Sequence, residues 1–181
     1  MGRYTVLKND RGFTLIELLV VAAILAVMAG MAVPSLKGWY DQNKVKEGFN
    51  QILTALQQAR ANAVRLSTNC TVTISSDTSY YTVTGSPSGC VLETGSISNE
   101  SIKVTKASGS LPVSIIFNYN GETDPSSNAT LVIERKDSGG SGIEGTGKCV
   151  VVSNPLGMIR FGDYSGSSCI NTENIQYDSE H

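Results

Sequence analysis

The chain has 181 residues with a formal net charge of −2, and charged residues make up 17% of it. That length suits one domain plus an anchor, and the lack of a basic excess argues against bulk nucleic-acid binding. There is one histidine, His181, the last residue, which removes most catalytic and metal constellations.

Residues 1–12 are hydrophilic, with Arg3, Lys8 and Arg11 set against Asp10. From residue 13 to 33 an apolar run of 21 positions follows, interrupted by Glu17 and softened by Thr14 and Gly30. At ~1.5 Å per residue, such a helix matches the ~30 Å hydrocarbon core of a bilayer. Cations ahead of it hold that end in the cytoplasm and send the C-terminal part across. A secretory signal would carry its small-residue cleavage site after a shorter apolar region. Here the small residue, Gly12, precedes the run, so a cut there leaves the apolar segment on the mature protein. A charge at the start of an apolar helix is costly, which makes Glu17 a candidate functional residue; the plainer alternative is a glutamate snorkelling to the membrane edge.

Gly12-Phe13-Thr14-Leu15-Ile16-Glu17 resembles the type III signal of type IV prepilins and type II secretion pseudopilins. The resemblance implies cleavage between Gly12 and Phe13 by a prepilin peptidase, then N-methylation of Phe13. It puts Glu17 at the fifth mature position, where the family's glutamate stands. Pro34 falls at the twenty-second, where pilins carry a helix-loosening proline. A carboxylate in apolar surroundings needs a cationic partner, and the terminal amine of a neighbouring subunit's Phe13 would supply one.

Beyond the run, Val45, Phe49, Ile52, Leu56, Ala59, Ala63 and Leu66 recur at alternating spacings of four and three. This predicts an amphipathic continuation of the helix, one face wide, suited to packing on a sheet. Pro34 and Gly38 are the expected bend between the two halves. Trp39 and Tyr40 fall where amphipathic aromatics favour the membrane interface. Ser67-Thr68-Asn69 ends the helical pattern.

From Cys70 onward the period becomes alternating. Candidate strands are Thr71–Ser75, Tyr80–Thr84, Cys90–Glu93, Ile102–Thr105, Val113–Asn118, Thr130–Arg135, Lys148–Ser153 and Met158–Phe161. They predict one or two antiparallel sheets with the helix laid across one face. After Phe161 the chain reads as polar and irregular, held by its cysteine. Four cysteines in a chain with an N-terminal membrane signal predict two disulfides in an oxidising compartment. Three connectivities are open; the preferred one joins Cys70 to Cys90 and Cys149 to Cys169, closing two loops of equal length.

The segments Ala59–Arg65, Ile115–Gly121 and Val150-Val151-Val152-Ser153, with Gly157-Met158-Ile159-Arg160, resemble the GspH/FimT group of minor pilins and pseudopilins. The resemblance implies an α+β pilin fold: a long N-terminal helix, half transmembrane and half amphipathic, packed on an antiparallel head. It divides the chain into a leader (1–12), a transmembrane and assembly half (13–36) and a periplasmic or extracellular part (37–181).

Two glycine motifs are decoys. Gly140 to Gly145 fits a dinucleotide pattern, and Gly142 to Lys148 fits a phosphate loop that ends on Cys149 where Ser or Thr is required. Both need a following helix, whereas the pattern here predicts a strand. Asp124 with Asn128, and Asp137 with Glu144, lack the oxygen-rich alternation of a calcium loop. No metal or cofactor is expected, and no catalytic constellation is found.

The expected function is therefore structural: a minor pilin in a type IV pilus, anchored in the inner membrane before assembly and then exposed in the pilus, periplasm or cell surface. Its expected partners are other pilin subunits, the prepilin peptidase/methyltransferase and an inner-membrane assembly platform. A pseudopilin of a type II secretion system is the alternative. A DNA-capturing pilin is a further one. FimT-like pilins can carry Gly-Arg-x-Arg, of which only Arg160 survives here, beside acidic Asp163, Glu173, Asp178 and Glu180, so weak or absent DNA binding is expected.

Overall fold

A computed structural model of the chain describes residues 13–92, 94–124 and 129–170; the side chains of residues 31–36 lie outside that description. The chain divides into two compact units, Met1–Trp39 and Tyr40–His181.

One helix, α1 (Leu15–Leu66), contributes to both. It starts where Thr14 supplies a cap: its Oγ1 accepts the backbone N–H of Glu17 at 3.3 Å. Thr-x-x-Glu is the spacing of a capping box, and a carboxylate in the first turn also suits the helix dipole. Helix is assigned without a break through positions 34 and 38. It stops at Ser67, which adopts a left-handed φ of 51°. There Thr68 N–H donates to Ala63 O at 3.1 Å and Ser67 N–H to Val64 O at 3.3 Å. This pair of bonds defines a Schellman motif, built on serine rather than the usual glycine.

In the second unit, the buried face of α1 carries Val45, Phe49, Ile52, Ala55, Leu56, Ala59 and Ala63. Leu66, expected on that stripe, is instead exposed, because the chain turns away at the very next residue. Two antiparallel sheets complete the head. The first has the order β3-β2-β1-β5, formed by β1 (Cys70–Ser76), β2 (Tyr80–Ser86), β3 (Gly95–Ser98) and β5 (Val113–Phe117). The second has the order β4-β6-β7-β8-β9, formed by β4 (Ile102–Lys106), β6 (Ala129–Arg135), β7 (Gly147–Ser153), β8 (Met158–Tyr164) and β9 (Cys169–Ile170).

Alternation decides which side chains enter the core. Val72 and Ile74 of β1, Ile115 and Phe117 of β5, and Leu131, Ile133, Val150 and Val152 of β6 and β7 are fully shielded and join the helix stripe in one cluster. Burying a branched apolar side chain in this way contributes about 1.5–3 kcal/mol. Gly48 permits a close approach: a Cβ there would stand 3.0 Å from both Ile97 of β3 and Ile102 of β4. Phe49 meets Phe161 of β8 edge-to-face, with centroids 5.9 Å apart.

Two strand expectations are corrected. Residues 90–92 form no strand; β3 lies further on, at Gly95–Ser98. Cys90 closes a turn on Pro87 O at 3.1 Å, and Val91 sits over Gly85 of β2 rather than beside it. Side chains of α1 take the backbone groups a strand partner would have used. Asn62 Nδ2 donates to Cys90 O at 3.1 Å, and Gln58 Oε1 accepts Leu92 N–H at 3.2 Å. The stretch after Phe161 is also more ordered than its polarity suggested. β8 continues to Tyr164, and β9 pairs back on it.

Candidate functional site

The first unit carries the residues of the expected assembly signal. Phe13, Leu15, Ile16 and Leu18 are 80%, 82%, 69% and 65% exposed, and the large side chains out to Met28 are similarly uncovered. An apolar surface of this extent has no partner within the described chain, and such surfaces mark interaction with lipid or protein. Glu17 lies among these exposed side chains. Beyond its backbone bond to Thr14, no hydrogen bond or ion pair of Glu17 is found among the described residues. Gly12 lies outside the described residues, as does the side chain of Pro34. Among the described residues no helix is long and apolar enough to cross a membrane. In the sequence Thr14 reads only as a softening of the apolar run. Its capping role goes unseen there, although the Thr-x-x-Glu spacing itself is the signal.

In the second unit the cysteines pair as Cys70–Cys90 and Cys149–Cys169, with Cα atoms 5.4 and 5.9 Å apart. The first bond ties the start of β1 to the loop after β2. The second ties β7 to β9 on the outer side of the second sheet. Cys149 stands opposite Val132 of β6 there, and both are buried.

Arg60 of α1 is the least anticipated of the anchoring side chains. Its Nε donates to Gly121 O at 3.2 Å and its Nη2 to Leu156 O at 3.5 Å. It thereby joins the loop after β5 to the turn between β7 and β8. Helical periodicity places Arg60 only on a solvated face, and no period signals a contact this distant in the chain.

The glycine-rich stretch is the connection between the paired strands β6 and β7, with no helix after it. Asp137 organises it: Oδ1 accepts Gly139 N–H at 2.9 Å and Ser141 N–H at 2.7 Å. Lys148, the would-be phosphate lysine, forms an ion pair with Asp163 of β8. Glu134 lies under the loop, close against Gly142 and Gly147. Burial pushes its carboxyl above the ordinary carboxylate value, Glu144 adds to the rise, and Lys103 opposes it. Asn128 falls outside the described residues, while Asp124 donates its N–H to Ile116 O at 3.4 Å. No group of three or more His, Cys, Asp or Glu side chains able to hold a metal is found among the described residues. Arg160 of β8 is half-buried, and its Nε is out of contact with solvent.

A long N-terminal helix with its second half packed on antiparallel sheets is the pilin fold. The crystal structure of the type IV minor pilin FimU of Pseudomonas aeruginosa matches it with a TM-score of 0.50 at 15% identity, over 74% of this chain and 98% of that one. Residues 7–33 match the prokaryotic N-terminal methylation motif, and residues 49–156 match the family described as type II transport protein GspH. The chain belongs to that GspH family. Two fimbrial proteins of Pseudomonas aeruginosa are 33% identical to it over 58 residues, which is 32% of this chain. The match spans 37% of those relatives' own length.

Proposed function

We propose that the protein is a structural minor subunit of a type IV pilus, inserted in the inner membrane by its N-terminal helix and then drawn into the filament. The observation that carries this reading is the uncovered apolar surface from Phe13 to Met28, beginning one residue after Gly12. Lipid would cover it before assembly, with residues 13–36 as the span, and the helices of other subunits would cover it afterwards. In this reading a prepilin peptidase/methyltransferase cuts between Gly12 and Phe13 and methylates the new amine. Glu17 then pairs with the amine of a neighbour's Phe13, setting the axial register, while Pro34 loosens the helix for packing. The head, residues 37–181, faces outward.

Removing one partner of a buried ion pair costs about 3–5 kcal/mol, enough to disturb register. Glu17→Ala should therefore reduce the amount of the protein in sheared filaments by an order of magnitude or more while leaving its membrane level unchanged. Equal incorporation of the variant would refute this role of Glu17.

The match to the GspH family supports a second reading, a pseudopilin of a type II secretion system. Deleting the gene separates the two. Loss of pili with normal secretion supports the pilus, and the reverse supports the pseudopilus. DNA capture has less support, because Arg160 is half-buried and the other charged residue of its strand is the acidic Asp163.

A further inference from the structure

β3 is an edge strand: β2 pairs with it on one side, and no described strand pairs on the other. The hydrogen bond from Asn99 N–H to Ser79 O, at 3.1 Å, sets the alternation of the β2–β3 ladder. It makes Tyr81–Ile97 and Val83–Gly95 the bonded pairs, so the backbone groups of Ser96 and Ser98 point to the free edge. Both residues are exposed, and no backbone bond reaches that edge from any described residue.

α1 forms the opposite wall. Two grooves of about 640 and 530 Å³ lie between it and β3, meeting at Gln51 and Ser96. Gln51 crosses here because position 95 is glycine: a Cβ on Gly95 would stand 3.1 Å from Gln51 Oε1. That oxygen is buried and accepts no hydrogen bond. No described residue supplies its donor, and pairing a buried acceptor is worth about 1–3 kcal/mol. Its charged lining side chains, Lys44 and Glu47, neutralise each other at 2.9 Å; the other described lining residues are polar but uncharged or apolar. Neither a nucleic acid nor a charged lipid surface is complemented by such a groove.

We propose that the groove receives an extended, uncharged segment of another pilin-class subunit, which adds as a strand to β3 and donates an N–H to Gln51 Oε1. Main-chain pairing on Ser96 and Ser98 supplies the affinity, as in other strand-addition complexes. The proposal rests on the filament-subunit reading.

The test uses the full chain in its native host, with p-benzoylphenylalanine at position 96 and filaments recovered by shearing. The expected result is a photo-adduct whose second peptide belongs to a protein carrying an N-terminal methylation motif. Ser98→Pro, which removes an outward N–H, and Gln51→Leu, which removes the acceptor, should each cut the adduct about tenfold. Protease resistance reports folding, and Gln51→Leu decides if Ser98→Pro does not fold. An adduct unchanged in the folded variants, one formed with a protein outside the pilin class, or none at all although the chain enters filaments overturns the proposal and leaves the filament reading standing. A chain that neither enters filaments nor cross-links to any pilin overturns both.

Discussion

Gly157, in the turn between β7 and β8, lies directly against Gly121 in the loop after β5: a Cβ on Gly157 would stand 2.2 Å from the carbonyl oxygen of Gly121. Both glycines have positive φ, 62° and 77°, and Arg60 binds the same carbonyl from the helix side. Thr123 N–H donates to Pro155 O at 2.8 Å alongside. This contact joins a loop of the first sheet to a turn of the second, with α1 bound to the same point through Arg60.

Gly157→Ala should therefore be among the more damaging substitutions in the head. It combines a left-handed backbone with a clash against main chain that no rotamer relieves, for a loss of about 3 kcal/mol. Denaturant unfolding of the detergent-solubilised protein measures it. An unchanged midpoint would mean that the turn separates from Gly121 freely.

Ser67→Gly should act in the opposite direction. Serine occupies a left-handed position that glycine adopts without strain, and the Schellman bonds are made by backbone alone. A gain of about 0.5–1 kcal/mol is expected, or roughly 1–4 °C in Tm for a chain of this size. A thermal scan suffices to check it.

Removal of the Cys149–Cys169 bond, by the Cys149→Ser and Cys169→Ser double substitution, should cost about 3 kcal/mol, from the entropy of the loop it closes. The loss should concentrate at β9, which is two residues long and pairs with β8 alone. Hydrogen exchange should show faster exchange there and unchanged protection in β6.

Glu134 predicts a pH dependence of unusual sign. Its folded carboxyl holds a proton more tightly than the unfolded one, mainly because burial disfavours the charge. Above the folded pKa this group therefore subtracts from stability, and the deficit shrinks as pH falls below that value, vanishing below the unfolded pKa. Glu134→Gln should raise Tm at pH 7, and the difference from wild type should shrink under acidic conditions. A constant difference across pH would place the effect in packing instead.

Much of this architecture is legible in residue order because it repeats with a period. The stripe from Val45 to Ala63 follows the helix repeat. The strand repeat shows in the shielded pairs two residues apart, Val72 with Ile74 and Leu131 with Ile133. Where a local pattern competes with a tertiary demand, the pattern misleads. Cys90-Val91 reads as strand, yet the disulfide and the side chains of Asn62 and Gln58 draw it across β2. β9 leaves almost no local trace, since two residues pair only because the cysteine brings them back.

The candidate site divides in the same way. The assembly signal is contiguous, from Gly12 to Glu17, and its chemistry lies in the order of those residues alone. The proposed cleavage site, the amine it would create and a carboxylate four residues further on require no fold to be recognised. The groove beside β3 was invisible, because it depends on Gln51 and Ser96, which are far apart in the chain and ordinary in type.

Sequence by itself determined the pilin helix, its signal and the strand-rich head, because periodicity and motif order are properties of neighbouring residues. Tertiary structure alone decided the division into two sheets, the disulfide pairing and the anchoring of distant loops by Arg60. Those features depend on which surfaces meet once the apolar faces are buried, and chain neighbours carry no record of that.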